Sequence, residues 1–170
     1  EKMKMIAEAY TEPEPHFAQI LKVTDVQPTE VYPKDENKDP DAVWEKAQGS
    51  VTRNGNQVTA KLMAIRSRFN PDRIDAQVGD ELIVHVTNVE QTRDMIHGFG
   101  LIEHNINMVM DPGETKTFHI KLTKPGVFPF YCTNFCSALH QEMQGYLVVW
   151  EPGKGPAAGA TGTGSAGGSK

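Results

Sequence analysis

Alternating apolar and polar positions dominate the chain from about residue 50 onward. Runs such as ELIVHVT, with an apolar residue at every second position, are typical of strands that bury one face. Turn-forming pairs separate these runs, among them Asn54-Gly55 and Gly79-Asp80. The spacing predicts about seven or eight short strands, and we therefore expect an all-β, Greek-key sandwich of antiparallel strands.

The two ends of the chain have a different composition from this middle part. Residues 1–50 are irregular and punctuated by Pro, which indicates a connector or the remnant of a preceding domain. Residues 51–151 form the predicted sandwich. Residues 152–170 are rich in Gly and Ala and bury too little apolar surface to offset their ordering entropy, so we expect a disordered tail. The chain begins with Glu1 and not with Met, and we interpret it as a mature or excised piece.

One segment of the connector carries helix signals. In DPDAVWEKAQG, Asp39 or Asp41 has a side chain suited to a helix N-cap, and Gly49 is a typical stop. We expect one short helix here, directly before the first strand.

Charge and hydropathy argue against several classes of function. The formal net charge is -5, with Lys and Arg interspersed among Asp and Glu. The sequence shows no basic stripe, which argues against nucleic-acid binding. No apolar run approaches the ~20 residues that a membrane-spanning helix needs, so we expect no membrane span in this chain. A mildly acidic surface is compatible with a cationic protein partner.

The segment YCTNFCSALHQEM carries the candidate chemistry. Both cysteines of the chain, Cys132 and Cys136, lie here with His140 and Met143 in a C-x3-C-x3-H-x2-M pattern. The flanking runs FPFYC and QGYLVVW have strand patterns, so the four side chains share one loop between neighbouring strands. Thiolate and thioether sulfurs are soft ligands that favour copper.

Other interpretations of this loop use the four side chains less fully. A mononuclear blue-copper site takes two His, one Cys and a weak axial Met, which leaves Cys136 without a role. Met is not a usual zinc ligand. A metal-free sandwich with a Cys132–Cys136 disulfide stays open as an alternative of another class, a binding module. Two thiolates, a thioether and two imidazoles suit two copper ions, because each thiolate can bridge both ions.

The second imidazole has to come from elsewhere in the chain. His97, in RDMIHGFG, lies at a strand end where the following Gly98 allows a close backbone approach. His104 lies at a turn and stays open as the alternative. Glu90 and Asp94 are candidate acceptors for the His97 ring N–H, a contact that would fix the tautomer of the ring.

Three segments together, DMIHGFG, NINMVMDPGET and KPGVFPFYCTNFCSALHQEMQGYLVV, resemble the C-terminal cupredoxin domain of nitrous oxide reductases. The resemblance extends from about Asn70 to Val149. Its ligand motif is that of the dinuclear CuA centre, which subunit II of haem-copper oxidases shares. The loop is more similar to the reductase, since the oxidase usually has an acidic residue at the position of Asn134 and Gly at that of Ser137.

The resemblance implies a cupredoxin-like fold and a CuA centre with two Cu per chain. The ligand set that it implies has the imidazoles of His97 and His140 and the bridging thiolates of Cys132 and Cys136. It is completed by the axial thioether of Met143 and the backbone carbonyl of Asn134. Many relatives have Trp at the position of Asn134, but a carbonyl ligand does not depend on the side chain.

The resemblance also implies a compartment and partners. In this family a periplasmic carrier, either a c-type cytochrome or a small cupredoxin, delivers electrons to CuA. The electrons pass to a catalytic copper cluster in a preceding β-propeller, within a homodimer that reduces N2O to N2 in denitrification. This sequence has no propeller repeat, so we expect the chain alone to transfer electrons and not to reduce nitrous oxide. His16 is then an orphaned cluster ligand or a surface histidine. The soluble part of an oxidase subunit II is the alternative with the same chemistry.

Overall fold

The structure, a computed structural model, describes residues 39–155. This part of the chain contains ten strands and three short 3-10 helices, and no α-helix is present within it. The strands are β1 (Ser50–Asn54), β2 (Gln57–Ile65), β3 (Arg68–Asn70), β4 (Arg73–Gln77), β5 (Glu81–Asn88), β6 (His97–Leu101), β7 (Ile106–Met110), β8 (Thr115–Lys121), β9 (Gly126–Tyr131) and β10 (Gln144–Trp150). Among the described residues, no helix has both the length and the apolar character needed to cross a bilayer.

The strands form two five-stranded sheets around one apolar core. The first sheet has the order β1-β2-β5-β8 with β3 also paired to β2, and the second has the order β4-β10-β9-β6-β7. The predicted all-β sandwich is confirmed. Most strand pairs are antiparallel as predicted, but β2 pairs with β5 and β4 pairs with β10 in parallel. The chain leaves the first sheet to form β4 in the second, and this crossover lets β5 return in the direction of β2.

Aromatic side chains from both sheets meet in the centre of the sandwich. Phe69 and Phe118 come from the first sheet, and Phe99 and Phe130 from the second. The neighbouring ring centroids are 5.1 to 5.6 Å apart. Such pairs add about 0.5–1.5 kcal/mol each beyond the burial of their area, so these rings hold the two sheets together.

The predicted turns join the strands at or next to the positions where the sequence places them. The β1–β2 hairpin turns at Gly55 and Asn56, one position later than the predicted Asn54-Gly55 pair, because Asn54 pairs with Gln57 as the last residue of β1. Gly55 has a φ of 61°. Gly79, between β4 and β5, has a φ of 95°. Glycine adopts this left-handed region without steric cost. In the DPGE turn, the backbone N–H of Glu114 donates to the carbonyl oxygen of Asp111 at 3.0 Å.

The predicted helix before β1 is a single 3-10 turn, Lys46–Gln48. It ends at Gly49 as expected, but the two predicted caps are wrong, since the N-cap residue is Glu45. The Asp39 carboxylate instead accepts a hydrogen bond from the backbone N–H of Asp41 at 2.8 Å. This local Asx turn competes with helix capping for the same side chain.

The predicted domain boundaries concern segments that the structure describes only in part. Residues 1–38 of the connector lie outside the described residues, and so do residues 156–170 of the tail. His16 falls in the first of these segments. The connector at 1–50 and the tail at 152–170 therefore stay predictions.

The second sheet brings the two parts of the predicted site, His97 and the loop of residues 132–143, to the same end of its strands. β9 and β10 pair in antiparallel fashion up to Tyr131 and Gln144, and the loop of residues 132–143 connects them. β6 lies on the other side of β9, with Gly100 opposite Tyr131. His97 is the first residue of β6, which runs antiparallel to β9, and therefore lies at the same end of the sheet as the loop.

Candidate metal centre

Residues 132–143, which we call the ligand loop, fold back on themselves between β9 and β10. The backbone N–H of Cys132 donates to the carbonyl oxygen of Met143 at 2.9 Å, which continues the strand ladder by one step. Inside the loop, the N–H of His140 donates to the carbonyl oxygen of Ser137 at 3.0 Å. These backbone bonds make the loop compact, so that donors several residues apart in sequence lie close together.

The structure brings the six predicted donor groups together. Cys132 Sγ lies 3.8 Å from Cys136 Sγ, 4.0 Å from His97 Nδ1 and 3.1 Å from the carbonyl oxygen of Asn134, and Cys136 Sγ lies 3.7 Å from both His140 Nδ1 and Met143 Sδ. Two donors that bind one metal ion at about 2.0–2.3 Å each can be at most about 4.6 Å apart. All five distances are within this limit, so the donor set fits a metal site of soft sulfur and imidazole ligands.

His97, and not His104, is the imidazole beside the thiols. Its Nδ1 lies 4.0 Å from Cys132 Sγ, and one ring nitrogen and the two thiol sulfurs all lie within 4.8 Å of one another. His104 lies in the 3-10 helix Ile102–His104, beyond the other end of β6. Its ring packs edge-on against that of Phe128, with the two ring centroids 4.6 Å apart. Of the two histidines that the sequence left as alternatives, the structure therefore places only His97 beside the thiols.

The two cysteines are separate thiols. Their sulfur atoms are 3.8 Å apart, well beyond the ~2.05 Å of a disulfide bond. Both are free cysteines, with Cys132 buried and Cys136 half-buried. Both sulfurs are thus available as metal ligands in this arrangement.

Burial sets the protonation state of the inner donors. His97 is 0% exposed and Cys132 is 4% exposed. Burial lowers the pKa of His97, although Glu90 acts in the opposite direction. The lowered pKa favours the neutral imidazole, which is the form that binds metals. Burial raises the pKa of the Cys132 thiol, while the Gly98 N–H acts in the opposite direction. A metal ion has to displace the Cys132 proton, so metal binding releases protons.

One carboxylate lies beside the His97 ring. Glu90 Oε1 is 3.4 Å from His97 Nε2, a long contact for a hydrogen bond. In the tautomer that carries its proton on Nε2, the ring donates to this carboxylate and leaves Nδ1 free to face the thiols. Asp94, the other predicted acceptor, is exposed, and within the described residues the hydrogen bond of the His97 ring is to Glu90 and not to Asp94.

Gly98 lets β6 approach the ligand loop closely. Its N–H donates to Cys132 Sγ at 3.4 Å. A Cβ at Gly98 would lie 2.8 Å from the backbone nitrogen of Thr133 and 2.9 Å from that of Asn134. The Thr133 hydroxyl donates to Asn107 Oδ1 at 3.0 Å and so ties the loop to β7. The close approach that the sequence predicted for this glycine is confirmed.

The outer side of the ligand loop is exposed. Phe135 is 83% exposed and Leu139 is 60% exposed. The Phe135 ring centroid lies 5.8 Å from that of His140, which is half-buried. Next to it is a surface depression whose lining comprises Tyr131, Cys132, Thr133, His140, Gln141 and Gln144. The donors are therefore buried on the side of His97 and close to the surface at His140.

The sequence analysis missed the residues that hold the loop from outside. Ser67 Oγ lies 3.0 Å from Ser137 Oγ, although the two residues are 70 positions apart. No local pattern marks such a pair. Thr133 was missed as well, and its place inside the ligand motif was the signal that could have identified it.

Comparison with known proteins identifies relatives of two kinds. Residues 42–149 match the family of cupredoxin-like domains. The nitrous-oxide reductase of Cupriavidus necator is 36% identical over 149 residues, which is 88% of this chain and 23% of that protein. Cytochrome c oxidase subunit 2 of Thermus thermophilus is 32% identical over 139 residues, which is 80% of this chain and 96% of that protein. The chain thus spans 23% of the reductase that it matches.

A solved structure has the same fold. It is a chain of a heme-copper terminal oxidase dimer with a TM-score of 0.54 and 22% sequence identity. The match covers 87% of this chain and 98% of that chain. At this identity the likeness describes the fold alone.

We expect Gly98→Ala to damage the site and leave the sandwich folded. The added methyl group would press on the backbone of Thr133 and Asn134, and the ligand loop would have to move away from β6. Loss of a contact that orients metal ligands typically lowers metal affinity by about 10–100-fold. The measurement is a copper titration of the wild type and of Gly98→Ala at equal protein concentration.

Gly100→Ala is the matched control on the same strand. A Cβ at Gly100 would meet the side-chain Cγ2 atom of Thr133 at 2.6 Å and no loop backbone within 3.4 Å. We expect a smaller loss of copper affinity in this variant. Equal copper affinity in Gly98→Ala and the wild type would show that the close approach is not required.

Proposed function

The chain belongs to the cupredoxin-like domain family, and we propose that it is an electron-transfer domain with a dinuclear copper centre of the CuA type. The observation that carries this proposal is the pair of thiol sulfurs 3.8 Å apart, each with an imidazole nitrogen 3.7 to 4.0 Å away. A single copper ion has no use for a second thiolate in a blue-copper arrangement. Two copper ions use both.

Each donor has a defined role in this proposal. Two thiolates, two imidazoles and two weaker ligands would together hold the copper ions. The assigned ligands are the thiolates of Cys132 and Cys136, the imidazoles of His97 and His140, the thioether of Met143 and the backbone carbonyl of Asn134. When bound, a mixed-valence copper pair shares one unpaired electron over both ions and both sulfurs, so bond lengths change little on reduction.

The protein supplies a rigid and partly dry cage for this group. His97 and Met143 are fully buried, and Glu90 holds the far side of the His97 ring. The backbone bond between Cys132 and Met143 fixes the two ends of the ligand loop. All coordination positions are filled by protein donors in this scheme, which suits electron transfer and leaves no position for a substrate.

Electrons reach the centre through the exposed side of the ligand loop. His140 lies at the surface end of the donor set, next to the exposed ring of Phe135. Apolar and aromatic side chains surrounded by polar ones are typical of protein interfaces. The donor that we propose is a periplasmic carrier, either a c-type cytochrome or a small cupredoxin.

The whole protein in our proposal is a periplasmic nitrous-oxide reductase. The identity of 36% to the reductase supports this assignment. Asn134 and Ser137 also depart from the usual oxidase loop. In this proposal the domain passes electrons to the catalytic copper cluster of a propeller domain in a homodimer, where N2O is reduced to N2 in denitrification. This chain alone transfers electrons and does not carry out that reaction.

A second candidate is the copper domain of an oxidase subunit II. The observation in its favour is the match to the Thermus thermophilus subunit, of which the chain covers 96%. The chemistry of the metal centre is the same in both candidates. An electron-delivery experiment distinguishes them. It tests whether the copper-loaded chain reduces the propeller domain of a nitrous-oxide reductase or an oxidase core.

We expect two copper ions per chain and two protected thiols. In the metal-free protein, unfolded in denaturant because Cys132 is buried, both cysteines should react with a thiol reagent, and in the folded copper-loaded protein neither should react. His97→Ala should lower the copper content below two per chain, because one ion loses its imidazole. The measurement combines copper analysis with thiol titration.

His104→Ala is the control for that variant, because His104 lies beyond the other end of β6. It should keep two copper ions per chain. One copper per chain in the wild type would favour a mononuclear site, and two cysteines that never react in the metal-free protein would favour the disulfide-bridged module.

We expect Phe135→Ala to slow electron uptake without changing the copper content. Removal of an aromatic side chain from the centre of an interface often costs about 1.4 kcal/mol or more, which corresponds to about a tenfold slower second-order reaction. The measurement is a rapid-mixing experiment that follows oxidation of a reduced c-type cytochrome by the copper-loaded chain.

Val127→Ala is the matched control for the surface. Val127 is 61% exposed and lies near the opposite end of β9 from the ligand loop. It should leave the rate unchanged. Equal rates for Phe135→Ala and Val127→Ala would place the electron donor elsewhere on the surface.

A further inference from the structure

The turn between β2 and β3 contacts the metal centre from the opposite sheet. Arg66 and Ser67 form this turn in the first sheet, whereas the donor groups lie on β6 and on the ligand loop of the second sheet. Neither residue carries a proposed ligand atom. Each of them, however, makes a hydrogen bond to a group that lies directly beside a donor.

The first contact leads to the ligand loop. Ser67 Oγ lies 3.0 Å from Ser137 Oγ. Ser137 follows Cys136 in the chain, and its carbonyl oxygen accepts the N–H of His140 at 3.0 Å. A shift of Ser137 therefore moves the Cys136 thiol and the His140 ring together.

The second contact leads to the other imidazole. The backbone N–H of Arg66 donates to Glu90 Oε1 at 2.7 Å. The same oxygen lies 3.4 Å from His97 Nε2. The Arg66 guanidinium also donates to Met95 Sδ at 3.0 Å, two positions before His97. One turn thus holds the neighbours of both histidines.

Ser67 has a backbone conformation that non-glycine residues seldom adopt, with a φ of 70°. A glycine would adopt the same φ without steric cost. The serine pays this cost and places its hydroxyl on Ser137. Unusual backbone conformations of this kind are concentrated at functional sites.

We propose that the Arg66–Ser67 turn is a positioning element for the metal centre. It connects the first sheet to Ser137 on one side and to Glu90 on the other, and so keeps the two imidazoles in place relative to the two thiols. This inference rests on the proposed function, since it concerns the copper ligands assigned above. The residues of the turn act through their neighbours and touch no metal.

The physical basis is the orientation of ligands by groups behind them. Partners that hold metal ligands in place typically change metal affinity by about 10–100-fold when they are removed. A ligand loop that is free to move also changes the overlap between thiolate and copper, which visible absorption detects. A role in folding alone would not change that spectrum in a protein that is fully folded and fully loaded.

The test compares four variants as complete copper-loaded chains. Ser67→Gly removes one hydroxyl and keeps the φ unstrained, Ser137→Ala removes the other hydroxyl, a double variant removes both, and Ser137→Thr retains a hydroxyl. The measurements are the rate of copper loss to a chelator and the thiolate-to-copper absorption bands. Thermal unfolding of the metal-free proteins verifies that each variant folds.

We expect each single removal to accelerate copper loss by about tenfold and to shift the absorption bands. The double variant should lose copper no faster than either single variant, because both substitutions break the same bond. Ser137→Thr should behave like the wild type. Thr52→Ala, which removes an exposed hydroxyl from β1, is the control and should change nothing.

Two outcomes would overturn the inference. One is wild-type copper loss and spectra in both Ser67→Gly and Ser137→Ala. The other is independent, multiplying effects in the double variant, which would mean that the two hydroxyls do not act through one contact. Failure of the wild type to show thiolate-to-copper bands would instead contradict the proposed function, so the two failures are distinguishable.

Discussion

The contact between β6 and the ligand loop at Gly98 is the constraint on which the site depends. Because Gly98 has no side chain, the backbone of Thr133 can pass close to it, and the Gly98 N–H reaches Cys132 Sγ across 34 positions of sequence. This contact brings His97 to the thiols, since His97 precedes Gly98 on the same strand. Without it the ligand loop would keep its own donors and lose the imidazole that comes from elsewhere.

The sandwich turns this local contact into a rigid site. The four phenylalanines between the sheets hold β6 and β9 against the first sheet, and the backbone ladder of β9 and β10 fixes both ends of the ligand loop. One side of the donor set is thereby buried, while the side of His140 and Phe135 is open to a partner. A centre that is held firmly on the inside and reachable on the outside suits the transfer of electrons, which requires proximity and little motion.

Local features of the site could be predicted from the sequence, and non-local ones could not. The spacing of the ligand motif places its donors on one loop, and the glycine after His97 indicates a close approach. The choice between His97 and His104 needed the fold, because the two histidines lie at opposite ends of one strand: His97 begins β6, and His104 follows its last residue by three positions. The parallel pairs depend on which sheet β4 joins, which alternation of apolar residues does not encode. The contact of Ser67 with Ser137 joins distant segments and has no signal in either one.

The most direct test of the account is the electron paramagnetic resonance spectrum of the copper-loaded chain. Its central claim is that both thiolates serve two copper ions as one unit. The account predicts hyperfine splitting from one electron that is shared equally by two copper nuclei. Splitting from a single copper nucleus would contradict it, because the electron would then be localised and the second thiolate would have no part in the centre.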